Sequence, residues 1–153
     1  IHLMKNINKL HMEKTYSPSE YSHLLIRHFP EIENMDFMKL EKEIDPKFEG
    51  YFSVYANFYK NVVASLLKGS LIDGISIQKV ANFMNDSFNG ASSDILLVNV
   101  IGTEWYQPLA STILHFRDEF NTECLESFTN LLTGKALQYL NFQLGKAPAP
   151  EFE

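Results

Sequence analysis

Cysteine is nearly absent from the chain: Cys124 is the only one in 153 residues, so no internal disulfide can form and a reducing compartment is expected. Long apolar runs are missing too. The densest, Ile95 to Ile101, is about two helical turns and is interrupted by Asn99, far short of the roughly 20 apolar residues that cross a bilayer. The first residues, Ile1-His2-Leu3-Met4-Lys5-Asn6, carry no apolar stretch or small-residue cleavage signature of a secretory leader, and the expected location is the cytoplasm. Basic charge is in deficit, with 13 Lys and Arg against 19 Asp and Glu for a formal net charge of -6. That balance argues against a nucleic-acid or anionic-membrane surface and leaves a cationic protein as the better electrostatic partner.

The motifs of common chemistries are also lacking. There is no His-Glu-x-x-His, Cys-x-x-Cys, phosphate-binding glycine loop or Gly-x-Ser-x-Gly elbow. His2, His11, His23, His28 and His115 are scattered, and His23 and His28 project about 140° apart on a helix, too divergent to share a metal. Cys124 lies near an expected helix start and reads as an inert, half-buried thiol. No catalytic activity, cofactor or metal is expected.

What is present is helical periodicity with proline and glycine punctuation. Ser17-Pro18-Ser19-Glu20 has the form of a capping box, Tyr21, Leu24, Leu25 and His28 follow as a stripe, and Pro30 ends the helix near Phe29. A short amphipathic helix is expected within residues 31 to 44. Asp45-Pro46 repeats the cap-then-proline start, so the longest helix is expected over about residues 46 to 68, with Phe48, Phe52, Tyr55, Tyr59, Val62, Val63, Leu66 and Leu67 inward and Gly69 as terminator. Ser76 caps the next helix and Asn89-Gly90 closes it. Ser92 or Ser93 is expected to cap the run from Ile95 to Ile101, which reads as fully buried and central, with Asn99 as a buried amide tying neighbouring elements. Gly102 then allows a bend, Pro108 opens another helix with Leu109, Ile113 and Phe116 inward, and residues 118 to 133 form a further one ended by Gly134. Residues 135 to 144 read as a last short helix or an extended piece.

No period-2 alternation, internal repeat or low-complexity run appears. The expected fold is therefore all-α, a single compact array of seven or eight helices over residues 16 to 145, between a frayed segment (1 to 15) and an extended, mobile tail (146 to 153).

Charge is unevenly placed. Residues 31 to 49 hold seven acids against three lysines, and residues 73 to 126 hold eight acids against only Lys79 and Arg117. Glu104 comes shortly after the apolar run and precedes Trp105, the single tryptophan, and Tyr106, where it is expected either to cap the helix that starts near Pro108 or to stand exposed in a recognition surface. Such acids, beside aromatic residues of the kind in which interface energy concentrates, suit contact with a cationic partner. The candidate partner-binding residues are Glu104, Trp105, Tyr106, Asp118, Glu119 and Glu123.

Two stretches, Gly50-Tyr51-Phe52-Ser53-Val54-Tyr55-Ala56-Asn57-Phe58 and Ile95-Leu96-Leu97-Val98-Asn99-Val100-Ile101-Gly102-Thr103-Glu104-Trp105, carry a resemblance. Over about residues 20 to 133 the chain resembles small helical immunity proteins of bacterial polymorphic and contact-dependent toxin systems, together with related domains of unknown function. The resemblance implies an inhibitor that binds a toxin C-terminal domain, often a nuclease, and protects the cell that makes it. A helical adaptor without a toxin partner, and a small-molecule-binding or enzymatic helical domain, are the alternatives.

Overall fold

The computed structural model describes residues 16–90 and 93–152, and the frayed segment expected over 1 to 15 lies outside them, as does Ser92. Seven helices carry the described chain, which contains no strand, only an isolated bridge between Ile72 and Ile75. The all-α expectation holds.

Helix α1 (Pro18–His28) begins on the capping box: the Ser17 hydroxyl accepts from the Glu20 amide at 3.3 Å and Glu20 Oε1 accepts from the Ser17 amide at 3.1 Å. Pro30 ends it and starts a 3-10 turn (Pro30–Asn34) that leads into α2 (Asp36–Ile44). The next helix does not start at Pro46. Asp45 Oδ2 accepts from the Gly50 amide at 2.7 Å, Phe48 adopts φ +53°, and the Ser22 hydroxyl donates to the Phe48 carbonyl at 2.7 Å. This tied loop delays α3 to Tyr51, because Asp45 caps the loop's amide instead of a helix.

Helix α3 runs over residues 51 to 67, as Tyr51–Phe58, a π-helical turn Tyr59–Val63 and Ala64–Leu67. Helix α4 (Ile77–Asn89) is capped as expected by Ser76, whose hydroxyl accepts from the Lys79 amide at 3.1 Å. Helix α5 is continuous over residues 95 to 115: Ile95–Ile101, a π turn Gly102–Tyr106, and Gln107–His115. It exceeds α3 in length, and neither the bend at Gly102 nor a fresh helix at Pro108 occurs. Pro108 has no N–H, and its ring crowds the carbonyl four residues earlier, so the wider π turn just ahead lets the proline stay inside a helix. Gly102 instead serves close approach, since a Cβ there would lie 2.5 Å from the Tyr139 hydroxyl.

The run expected to be buried all round is amphipathic. Leu97, Val98, Val100 and Ile101 are buried, whereas Ile95, Leu96 and Asn99 face outward, so Asn99 is no buried tie. Its cap is Asp94, which accepts from the amides of Leu96 at 2.9 Å and Leu97 at 3.1 Å. Ser93 instead donates its hydroxyl to the carbonyls of Phe88 and Gly90, both at 3.3 Å.

Helix α6 (Thr122–Leu131) and α7 (Gly134–Gln143) complete the array, which settles residues 135 to 143 as helical. Gly134 is the first residue of α7, with φ +52°, and does not terminate α6. Two asparagines one turn apart on α4 hold this corner. Asn85 donates to the Leu131 carbonyl at 2.8 Å and accepts from the Thr133 amide at 2.9 Å; Asn89 donates to the Thr133 carbonyl at 3.0 Å and accepts from the Lys135 amide at 2.7 Å. The Leu131 carbonyl and the Thr133 and Lys135 amides, three backbone groups that the helix ends leave over, are thereby satisfied, while the Thr133 carbonyl also accepts from the Leu137 amide at 3.2 Å. The tail is extended and makes contacts with the helices: Gln138 donates to the Pro148 carbonyl at 3.1 Å, and Phe152 meets the Phe88 ring edge-on with centroids 5.6 Å apart.

Candidate functional site

Trp105 and Tyr106 occupy the π turn of α5, and both are 0% exposed. The extra residue in that turn rotates two successive aromatic side chains into the interior. Trp105 stacks on Phe58 (centroids 5.1 Å apart, planes at 22°), and its indole N–H donates to the Tyr55 carbonyl at 2.9 Å, next to the π turn of α3. Tyr106 donates to the Ala136 carbonyl of α7 at 2.8 Å. As binding anchors the two are therefore corrected: they are core residues whose polar ends are already paired with backbone, and no partner can reach them without unfolding the helix.

The same bonds continue across the molecule. The Tyr55 hydroxyl donates to the Tyr21 carbonyl at 2.9 Å, and the Tyr21 hydroxyl lies 2.7 Å from each Asp94 oxygen. One line of polar contacts thus runs from α5 through α3 and α1 back to the cap of α5. Burial, then the hydrogen bond to Asp94, pushes the Tyr21 phenol far above its ordinary value, and burial does the same to Tyr55 and Tyr106.

The acids divide. Glu104 is half-buried in the π turn, eleven residues up the helix from His115, a distance of about 16 Å along the axis. Asp118, Glu119 and Glu123 are all exposed and lie together at the corner where the 3-10 turn Arg117–Glu119 joins the first turn of α6. Directly before them, Leu114 is 53% and Phe116 60% exposed. Phe116 was expected to face inward with Leu109 and Ile113. Leu109 is buried and Ile113 half-buried, but the helix stops at His115 and Phe116 leaves it at φ -142°, ψ 38°, which turns the ring outward. Helical spacing misses this residue because the period ends one position before it. The missed signal is a large aromatic residue between His115 and the polar run Arg117-Asp118-Glu119.

Elsewhere, His23 Nδ1 lies 2.7 Å from the Ser19 carbonyl and its ring is edge-on to Phe48, while the His28 ring packs edge-on against Phe83, so the two histidines serve different neighbourhoods. Cys124 is half-buried in the first turn of α6, where its amide donates to the Asn121 cap at 3.0 Å. Among the described residues no three His, Cys, Asp or Glu side chains converge as a metal site would require, and no helix is long and apolar enough to cross a membrane. Compared with known protein families, curated proteins and solved structures, the chain matches none.

Proposed function

We propose that the chain is an immunity protein: a helical inhibitor that neutralises a cationic toxin domain, a nuclease in the favoured case, by direct contact and without catalysis. The observation that carries this reading is the corner between α5 and α6, where exposed Leu114 and Phe116 stand beside exposed Asp118, Glu119 and Glu123. An apolar centre flanked by charge of one sign is how protein interfaces are built: a desolvated aromatic anchor holds the complex, and the acids around it steer a cationic partner and fix its orientation. Phe116 takes the anchoring part that Trp105 and Tyr106 cannot. A nuclease site holds phosphate with cationic and hydrogen-bonding groups, so carboxylates placed against it compete for the same contacts.

The test is a pull-down with the product of the adjacent upstream gene, followed by binding kinetics. Reversal of Asp118, Glu119 and Glu123 to lysine is expected to leave the helical spectrum unchanged, because exposed charges contribute about 0 to 1 kcal/mol each to stability. It is expected to slow association and flatten its salt dependence. Phe116→Ala is expected to cost about 2 kcal/mol or more of affinity, mainly through faster dissociation. Recovery of no partner, or wild-type binding and protection by both variants, overturns the proposal.

A further inference from the structure

On the side of the molecule formed by α1, the Pro30–Asn34 turn and α2, the surface opens into a recess of about 540 Å³, within the size range of small-molecule sites. Lys39 and Lys42, three residues apart and so on one face of α2, line it, as does Asn34 from the turn. Neither lysine forms an ion pair among the described residues, although the chain carries 19 acids against 13 cations and Glu33 lines the same recess. Two lysines without an ion pair, against the one carboxylate of Glu33, leave the lining of this recess in an acidic protein locally cationic.

The apolar lining of the recess is half-buried Ile26, exposed Pro46 and the buried Met38 and Phe48. Phe48 is the single non-glycine residue with positive φ among those described. That left-handed backbone is unfavourable for a residue with a side chain, and it persists only where its surroundings impose it. Here the buried hydroxyl of Ser22 holds the Phe48 carbonyl, the Phe48 amide donates to the Asp45 carbonyl at 3.0 Å, and the ring is braced edge-on by His23 with centroids 5.7 Å apart. The strained turn fixes an aromatic side chain against the recess, beside the lysines.

We propose that this recess binds a small organic phosphate, with the phosphate held by Lys39, Lys42 and the Asn34 amide and an aromatic body laid against Ile26, Pro46 and Phe48. Two full positive charges match a phosphate dianion better than a carboxylate, and lysine binds phosphate as a point charge without needing bidentate geometry. This site is separate from the α5–α6 corner and does not depend on it.

Phenyl phosphate is the probe, titrated into the full chain and followed by amide chemical shifts, with inorganic phosphate and phenol as its two halves. The expected result is saturation at one phenyl phosphate per chain, with shifts confined to α1, α2 and the loop between α2 and α3, and affinity at least about tenfold above that for either half. Lys39→Gln with Lys42→Gln, on an exposed face, should lower the phenyl phosphate affinity about tenfold or more and leave phenol binding unchanged. Phe48→Gly, which removes the ring and accepts the positive φ, should reduce phenyl phosphate to the affinity of inorganic phosphate. If phenyl phosphate binds no more tightly than inorganic phosphate, if its shifts spread beyond this region, or if the lysine double variant binds it like wild type, the proposal fails.

Discussion

At the scale of single residues, two tyrosines in similar burial carry opposite expectations. The Tyr21 hydroxyl is bonded to Asp94 at 2.7 Å, and Asp94 also caps α5. Tyr21→Phe should therefore cost about 1 to 3 kcal/mol, since a hydrogen bond to a charged group is lost in a partly buried place. Coupling to Asp94→Ala in a double-mutant cycle on urea unfolding should be clearly above zero, and additive effects would show that the bond contributes nothing. The Tyr59 hydroxyl is buried with no hydrogen-bond partner among the described residues, and burial, aided by nearby Glu119, pushes its phenol far up. Tyr59→Phe removes an unsatisfied hydroxyl and should leave stability unchanged or raise it by up to about 1 kcal/mol. A loss of more than that would mean the hydroxyl has a partner in solution. Trp105 gives a third check: as the only tryptophan, with no exposure, its fluorescence should be blue-shifted and resistant to acrylamide, and free quenching would contradict its place in the core.

At the scale of elements, the sequence is legible wherever one residue type has one local job. Ser17 with Glu20 and Ser76 mark helix starts through hydrogen bonds within a few residues, Pro30 and Gly90 mark helix ends through local backbone geometry, and those ends stand where the residues put them. Illegible are features whose cause lies across the fold. Asn85 and Asn89 look like ordinary polar positions on α4 until α7 turns back beside them. Asp45-Pro46 has the form of a helix start, yet the Asp45 carboxylate finds Gly50 and the helix waits five residues. Trp105 and Tyr106, which follow the apolar run and read as its exit to the surface, are carried inward by the π turn, which shifts the phase of the 3.6-residue pattern, whereas Phe116 reads as core when counted from Leu109 because the helix ends at His115. Of the candidate contact residues, the acids Asp118, Glu119 and Glu123 were legible as a polar run, whereas the anchor beside them was not. Asn85→Ala and Asn89→Ala should each cost about 1 to 2 kcal/mol by leaving backbone groups at the α6–α7 corner unpaired. Gly102→Ala should cost about 1 to 3 kcal/mol through collision with Tyr139, and Tyr139→Phe in that background should restore part of it by removing the nearest atom. Failure of that partial rescue would place the strain elsewhere.

At the scale of the whole molecule, the phenols make stability sensitive to pH mainly at the alkaline end. Tyr21, Tyr51, Tyr55, Tyr59 and Tyr106 all have their ionisation pushed above the ordinary 10.0, with burial the largest cause at each. A folded-state value above the unfolded one means that the unfolded chain releases its phenolic protons first. The stability these groups contribute is therefore complete below about pH 10 and falls as pH rises beyond it, with several phenols acting in the same direction. Further ionisation also adds negative charge to a chain already at -6. The acid end is governed by fewer shifted groups. Burial lowers His28 against the opposing pull of Asp86, so its protonation favours unfolding as pH falls below 6.5; Lys79 lowers Glu31, whose contribution is present above 4.5 and lost as pH falls further. The expected profile of melting temperature against pH is a gentle decline on the acid side and a steep fall past about pH 10, with tyrosinate absorbance appearing together with the loss of helical circular dichroism. If the buried phenols instead ionise near pH 10 while the helix signal stays intact, the line of contacts from Trp105 through Tyr55 and Tyr21 to Asp94 does not hold the three helices as described.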